Sequence, residues 1–391
     1  MSKPTTKITR TIRSEQVLQA FVEVVRKSLP LDLKNTRITA EDIIYALAYA
    51  NVHRLSIESA CQELQAAPSG NRLREVLVEA LPDRVGMQRM LNRMFRQQLH
   101  PSVWKCKRDF NVAIDLTLIP YHGQPYEDPK EIVRGMPKSG TTHFHGYATV
   151  SIVRDDRRYV VALRFLESGE EMAEIVRWLL QRLKSLKFRL RRVFLDKGFC
   201  SKPVFKVLHQ HRLSYVIPIP VRGKSGGIRT LFQGKSRKTT YTFNSPKQGQ
   251  YTVQATVVKR YSKGRYGRHT SKWFAYAVSG LPAGILPAQV FQLYRQRFGI
   301  ESSYRQMNQV RARTSTRHPV LRLLLVGLAF VLFNLYITLR QSLSSALKQP
   351  SQLPERFWLS LRRLALLLGR AIERLWGTSA VIQHQPCHTL S

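Results

Sequence analysis

The chain has 391 residues, with 63 Lys and Arg against 25 Asp and Glu and a formal net charge of +38. Hydrophobic residues make up 43% of it, so it can bury a core and is neither a disordered tail nor a collagen-like chain. The excess of positive charge favours a polyanionic partner, nucleic acid first, and argues against a small-metabolite enzyme. Four cysteines far apart and without a CxxC pair indicate neither a zinc finger nor a disulfide framework, and they favour free thiols in a reducing cytosol.

Residues 1–105 are predicted to form a helical domain that binds DNA. Apolar residues recur at helical spacing in five segments, 17–29, 43–50, 57–64, 73–81 and 87–99. Thr39 and Asp42 have the spacing of a capping box that opens the second helix. Two short helices around the turn at Pro68 suit a helix-turn-helix, and a helical bundle without DNA contact is the alternative.

Residues 106–220 and 281–345 are predicted to form an α/β catalytic domain. The patterns indicate strands at 112–119, 147–153 and 159–165, a helix at 170–186, a strand at 192–195, a helix at 203–211 and a strand at 214–219. This is the element order of a ribonuclease H-like domain, so the expected fold is a mixed sheet flanked by helices. Element order alone does not establish a function.

The remaining segments are a β-rich insertion and a helical C-terminus. Residues 221–280 contain alternating runs at 251–258 and 273–278, which indicate antiparallel strands. Helical character resumes from 287 to 308, and residues 346–391 are predicted to be a helical C-terminal segment. The 17 uncharged residues at 323–339 are at the lower limit for a membrane span. Arginines on both flanks and the interrupting Asn334 favour a buried helix instead.

Acidic residues are distributed very unevenly. Residues 197–300 contain no Asp or Glu among 104 positions, although they contain 19 Lys and Arg. After Asp196 the chain has only three acids, Glu301, Glu355 and Glu373. A segment without carboxylates avoids repulsion with an anionic partner, so a carboxylate that remains at its edge is a candidate functional group.

Three carboxylates have positions that suit metal binding. Asp115 interrupts an apolar strand, where a lone buried charge is unfavourable unless it is paired or bound to a metal. Asp196 follows a strand, at the end where active sites of open α/β sheets lie. Glu301 is predicted to share one helical face with Tyr294 and Arg297. Three carboxylates can hold two Mg²⁺ ions for phosphoryl transfer, and salt bridges to neighbouring arginines are the alternative.

These motifs resemble those of the DDE transposases of bacterial and archaeal insertion sequences, in the insertion-sequence-four superfamily. That family has a first Asp on a strand, a second Asp followed by x-Gly-Phe/Tyr, and a Tyr-x2-Arg-x3-Glu-x6-Lys signature. Here they fall on Asp115, on Asp196-Lys-Gly-Phe, and on Tyr294, Arg297 and Glu301. The resemblance covers residues 105 to 340 and includes the β-rich segment before the Glu.

The resemblance also implies a set of DNA contacts. The last signature position is Asn308 instead of Lys, which leaves that phosphate contact to Arg305, Arg311 or Arg313. Trp273 could stack on an unpaired base, and a core tryptophan is the alternative reading. The residues expected to contact DNA are Tyr294, Arg297, Arg305, Asn308, Lys197 and Trp273.

The resemblance implies a cut-and-paste transposase that acts on double-stranded DNA, at terminal inverted repeats and at a target. It implies two Mg²⁺ ions on Asp115, Asp196 and Glu301, with Mn²⁺ able to substitute. A homodimer in a synaptic complex is expected, in the cytoplasm with the nucleoid and not at a membrane. A transposase-derived DNA-binding protein without catalysis and a ribonuclease H-like nuclease without strand transfer are the alternatives.

Overall fold

The computed structural model describes residues 11–34, 36–104, 109–154, 157–246, 249–263, 269–344 and 359–379. The chain divides into two compact units, one made of Met1–His100 with Arg305–Ser391 and the other of Pro101–Tyr304. The first is called the helical unit below, and the second, which contains the β-sheet, is called the sheet unit.

The helices and strands are numbered in chain order. The helices are α1 (Ser14–Ser28), α2 (Ala40–His53), α3 (Ile57–Gln62), α4 (Gly70–Ala80), α5 (Arg84–Gln97), α6 (Pro101–Trp104), α7 (Met172–Ser185), α8 (Lys202–Gln210), α9 (Pro287–Arg295), α10 (Gly299–Met307), α11 (Pro319–Ser344) and α12 (Leu361–Trp376). The strands are β1 (Phe110–Pro120), β2 (Val133–Lys138), β3 (Thr141–Arg154), β4 (Arg157–Phe165), β5 (Leu190–Leu195), β6 (Tyr215–Pro218), β7 (Arg237–Ser245), β8 (Gly249–Lys263) and β9 (His269–Ser279).

The five helices predicted near the N-terminus are confirmed as α1 to α5. The Thr39 hydroxyl accepts a hydrogen bond from the Asp42 amide at 3.1 Å, and the Asp42 carboxylate accepts one from the Thr39 amide at 2.8 Å. This is the predicted capping box. Helices α3 and α4 pack closely, because a Cβ at Gly70 would lie 2.5 Å from the Cα of Glu58. Only glycine permits that approach.

Helix α11 forms the centre of the helical unit. It is long and apolar enough to cross a membrane, and the apolar stretch is completely buried, as expected for a core helix. It packs against α1, α2, α5 and α12. A Cβ at Gly327 would lie 2.3 Å from the Leu91 side chain, so α5 and α11 approach at a glycine. The Phe95 and Phe330 rings meet edge to face, with centroids 6.5 Å apart.

The sheet unit has the predicted ribonuclease H-like architecture. Its strand order is β2-β3-β1-β5-β6-β9-β8-β7, with β4 also paired to β3. The β1–β5 and β5–β6 pairs are parallel, and the other pairs are antiparallel. Val290 and Tyr294 of α9 pack on one face with Phe194, whereas Phe205 of α8 contacts Tyr215 on the opposite face. Helices therefore flank both faces of the sheet.

The β-rich insertion extends the same sheet. Strand β9 pairs with β6 from Tyr215↔Ser279 to Pro218↔Tyr276, so β7, β8 and β9 continue outward from the central strands. Strands β2 and β7 were not predicted from the sequence. Residues 281–345, expected to belong to the catalytic domain, divide between the two units at residue 305. The division arises because α11 buries its apolar surface against the N-terminal helices.

Candidate active site

Asp115 lies in the middle of β1, on the central strands of the sheet. Its strand neighbours are Thr149 on β3, which is directly opposite, and the carboxyl end of β5. The side chain is buried, and its Oδ1 accepts a hydrogen bond from the Leu116 amide at 2.9 Å. The strand pattern therefore fixes a carboxylate inside the protein at the position predicted from the sequence.

Asp196 lies beside Asp115 because of the parallel pairing of β1 and β5. Ile114 is paired with Leu195, the last residue of β5, and each aspartate comes directly after its member of that pair. The Asp196 side chain is 37% exposed. It thus occupies the open side of the same site, at the carboxyl end of a strand.

Arg297 joins the two carboxylates. Its Nη2 lies 2.9 Å from Asp115 Oδ2 and 3.3 Å from Asp196 Oδ1. The arginine side chain is only 4% exposed. It comes from a 3₁₀ turn, Gln296–Phe298, that separates α9 from α10. Two carboxylates and one guanidinium therefore form a compact charged centre across 182 residues of chain.

The electrostatic state of Asp115 reflects burial more than pairing. Removal from water raises the pKa of the Asp115 carboxyl to about 6, and nearby Asp196 acts in the same direction. The Arg297 charge and the Leu116 amide oppose this rise but do not cancel it. A carboxyl with a raised pKa beside a second carboxyl is typical of a functional site.

Two tyrosines support the strands that carry the aspartates. The buried Tyr294 hydroxyl donates a hydrogen bond to the Leu195 carbonyl at 3.2 Å, next to Asp196. Burial raises the pKa of both Tyr294 and Tyr304, so both stay neutral. The Tyr304 hydroxyl is 2.6 Å from the Thr149 hydroxyl, opposite Asp115. Sequence reasoning missed Tyr304 and Thr149, although Tyr304 follows the signature Glu by one helical turn.

The segment with the Tyr-Arg-Glu signature is not one continuous α-helix, and this corrects the prediction. Helix α9 ends at Arg295, and α10 begins at Gly299 after the 3₁₀ turn. The expected single helix carrying Tyr294, Arg297 and Glu301 is therefore interrupted between Tyr294 and Glu301. Arg297 lies in the interrupting turn and contacts both aspartates. Glu301 lies on α10, and its side chain is outside the described residues.

The two described aspartates fit a bound cation. Within the described part of the chain no group of three or more His, Cys, Asp and Glu side chains could hold a metal ion. Asp115 and Asp196 nevertheless direct one oxygen each to the same positively charged nitrogen, which marks a cation position shared by both carboxylates. Carboxylate oxygens are ligands that Mg²⁺ prefers.

The residues of the sheet unit that are expected to contact DNA differ in their exposure. Lys197 follows Asp196 and is exposed, whereas Tyr294 and Arg297 are buried. Trp273 on β9 is half-buried, and its ring stacks on Phe232 at a centroid distance of 5.8 Å. DNA contact by each of these residues stays a prediction.

Arg305 and Asn308 are both exposed and belong to the helical unit. The Asn308 side-chain oxygen accepts a hydrogen bond from Arg311 Nε at 3.2 Å. This contact brings Arg311, one of the candidate replacements for the missing Lys, next to the substituted signature position.

Comparison with known proteins gives two matches. A family model described as "Transposase DDE domain" matches residues 111–334. Among solved structures, the chain is similar to one described as "Cryo-EM structure of piggyBac transposase synaptic complex with hairpin DNA", with 15% sequence identity and a TM-score of 0.56. That match covers 95% of this chain and 83% of the other, and at this identity it shows the fold. A search of curated proteins found no match.

Proposed function

This chain belongs to the family of transposase DDE domains, and we propose that it moves a DNA element by a cut-and-paste mechanism. It cleaves DNA at the terminal inverted repeats of the element and joins the released 3′ ends to a target. Its motifs favour the insertion-sequence-four superfamily of bacteria and archaea. The observation that carries the proposal is the pair of carboxylates, Asp115 and Asp196, that share one cation position at adjacent parallel strands.

Asp115, Asp196 and Glu301 hold the divalent ions that the reaction requires, two Mg²⁺ in this proposal. When bound, such ions stabilise the attacking and leaving oxygens of an in-line phosphoryl transfer. Asp115 is fixed by its strand and by the Leu116 amide, and the end of β5 before Asp196 is held by the Tyr294 hydroxyl. This preorganisation keeps the first two carboxylates in register before DNA arrives.

The sheet unit has basic and aromatic side chains that suit DNA. Lys259 Nζ lies 5.3 Å from the Trp273 ring centroid and 5.4 Å from that of Tyr261, which is 67% exposed. Lysines contact phosphates, and aromatic rings stack on bases that have left the duplex. Lys197 adds an exposed positive charge next to Asp196. These residues suit a DNA strand close to the point of cleavage.

In the helical unit, the charges favour α5 as the DNA-contacting helix. Arg89 and Arg93 are exposed one turn apart, and α5 contains no Asp or Glu. The ion pairs found among the described residues do not include either arginine. On α4 the arginines are compensated, since Arg72 pairs with Glu75 at 3.3 Å and Arg74 Nε lies 2.9 Å from the Glu58 carboxylate. The uncompensated helix is the better match for a phosphate backbone.

Two further parts of the proposal follow from the reaction. Two element ends must be brought together, so we propose a homodimer that binds both. The substrate is chromosomal DNA, which places the protein in the cytoplasm with the nucleoid. No membrane role is proposed, since the one described helix that is long and apolar enough to span a bilayer is buried in the helical unit.

Two alternatives make different predictions. A transposase-derived protein without catalysis would bind DNA tightly and salt-dependently but would not cleave it, and the retained acids argue against it. A ribonuclease H-like nuclease would cut without joining. Both lack strand-transfer products.

The test is a cleavage and strand-transfer assay on DNA that carries the inverted repeats bracketing the reading frame. We expect cleavage at the repeat ends and joined products with Mg²⁺, and neither with EDTA. Asp115→Asn, Asp196→Asn and Glu301→Gln should each lose both products. Cleavage without joining would support the nuclease, whereas wild-type activity in all three variants would refute the metal assignment.

The DNA-contacting helix is tested by the salt dependence of binding. Each lost phosphate contact lowers the slope of log affinity against log salt by roughly 0.9. We expect Arg89→Gln with Arg93→Gln to reduce the slope by roughly 2. The control, Arg72→Gln with Arg74→Gln, removes the same charge and should change the slope by less than about 1. Equal changes in both variants would contradict a role for α5.

A further inference from the structure

The position of Arg297 has a consequence for metal binding. Its guanidinium Nη2 contacts one oxygen of Asp115 at 2.9 Å and one oxygen of Asp196 at 3.3 Å. A divalent ion shared by these two aspartates needs those same oxygens. A guanidinium and a divalent ion are both positively charged. They would repel each other strongly if both contacted the same two oxygens in a buried site.

Burial makes the cation necessary in the metal-free protein. Two carboxylates held side by side at low dielectric repel each other, and a positive charge between them offsets that repulsion. Among the described residues, both ion pairs of Asp115 and Asp196 are with Arg297, so this arginine is the cationic side chain that pairs with the two carboxylates. The arginine therefore performs, before metal binding, the charge compensation that the ion performs afterwards.

We propose that Arg297 is a positioning residue that holds the metal-free site together and competes with the first divalent cation for Asp115 and Asp196. This inference rests on the proposed function. When the ion binds, Arg297 leaves the carboxylates, and its planar fork becomes available to a DNA phosphate. Its placement on a short turn between two helices, and not within a helix, allows the side chain to be redirected by a local change of the turn.

The competition predicts the sign of a mutational effect. If Arg297 only supported the fold, its loss would disorder the aspartates and weaken metal binding. If it competes, its loss removes a rival cation and strengthens metal binding, although the metal-free protein becomes less stable. Lysine keeps the charge but not the fork, so Arg297→Lys should lie between the wild type and a neutral variant.

The experiment is a titration of the full chain with Mn²⁺ in the absence of DNA. Binding is measured by calorimetry or from the electron paramagnetic resonance signal of the free ion. We expect Arg297→Met to bind Mn²⁺ about tenfold tighter than the wild type or more, because a lost charged hydrogen bond is worth about that factor. The control is Arg295→Met, which removes the same charge from an exposed neighbour and should change affinity less than about twofold. Equal or weaker binding by a folded Arg297→Met variant would overturn the proposal.

Two further variants separate a folding defect from an effect on metal binding. Should Arg297→Met fail to fold, Arg297→Gln, which retains a hydrogen-bond donor without the charge, carries the same expectation. Asp115→Asn tests the underlying function, because it should abolish tight Mn²⁺ binding. If Asp115→Asn binds as the wild type does, the metal site itself is wrong. If it loses binding while the neutral Arg297 variants gain none, only the competition is wrong.

Discussion

The interiors of the two units differ in the side chains that they bury. The helical unit surrounds α11 with apolar side chains, such as Phe95 against Phe330, and gains stability from that burial. The sheet unit places charges at its centre, with Asp115 and Arg297 buried and Asp196 partly open to solvent. Desolvation of such charges is offset only in part by their pairing. Burial in the helical unit therefore stabilises the fold, whereas the buried charges of the sheet unit lower its stability and provide the groups of the candidate active site.

This difference predicts that a change at the charged centre affects activity far more than stability. Asp115→Asn keeps the shape of the side chain but removes the charge that a divalent ion needs. We expect the rate of DNA cleavage to fall by about 1,000-fold or more. The thermal unfolding midpoint in EDTA should change by only a few degrees, because the side chain keeps its size and its one oxygen can still accept one of the two hydrogen bonds that Asp115 accepts from Leu116 and Arg297. Unfolding of this variant at room temperature would break the comparison.

The converse is predicted for the apolar interior. Phe330→Ala leaves a cavity beside Phe95 and should lower the free energy of unfolding by about 3–5 kcal/mol. The matched control is Leu366→Ala on α12, where the side chain is 45% exposed and the expected loss is within about 0.5 kcal/mol. Urea unfolding followed by circular dichroism measures both. Similar losses in the two variants would show that α11 is not the stabilising core.

A smaller effect separates local polar bonds from the apolar core. Thr39→Ala removes the hydroxyl that caps α2 and should lower the free energy of unfolding by about 1 kcal/mol. Thr39→Ser keeps the hydroxyl and serves as the control, with a change near zero. Urea unfolding of the three proteins side by side gives the difference. A loss in the alanine variant as large as that of Phe330→Ala would contradict the dominance of apolar packing.

The smallest effect is expected at His53, the last residue of α2, whose side chain is partly buried. Burial lowers the pKa of His53 below its ordinary 6.5, although Glu373 at 3.7 Å and Glu63 oppose the shift. As pH falls below that ordinary value, the unfolded chain takes up a proton that the folded protein does not, so stability is lost. Unfolding free energies at about pH 7.5 and about pH 5.5 should fall less in His53→Gln than in the wild type. An equal fall in both would show that His53 does not contribute.

Much of the fold followed from local patterns in the sequence. The capping residues Thr39 and Asp42, the apolar strand around Asp115 and the strand before Asp196 are each encoded within a few neighbouring residues, so they could be predicted. Strand β7 was not predicted, because its half-buried positions carry only two aromatic side chains, Tyr241 and Phe243, among Arg, Thr and Ser, so its alternation of apolar and polar residues is weak.

The charged centre was only half predictable for a related reason. Asp115 interrupts an apolar strand and Asp196 borders the acid-free segment 197–300, but Arg297 lies in a break between α9 and α10 that no proline marks. Helical periodicity continues through the break, so the sequence favoured one helix with Arg297 directed to DNA. The contact with Asp115 spans 182 residues and arises only from tertiary packing.

The way the helical unit is assembled has a consequence for biosynthesis. Its N-terminal helices find their core helix α11 and their partner α12 only after about 200 further residues, and Leu64 bridges to Thr378 near the end of the described chain. The sheet unit is one continuous segment, Pro101–Tyr304. During synthesis the sheet unit can therefore fold before the helical unit is complete. Until α11 and α12 have been made, the N-terminal helices lack the partners that bury their apolar faces. A chain released early by the ribosome would carry a formed catalytic sheet without a finished helical unit.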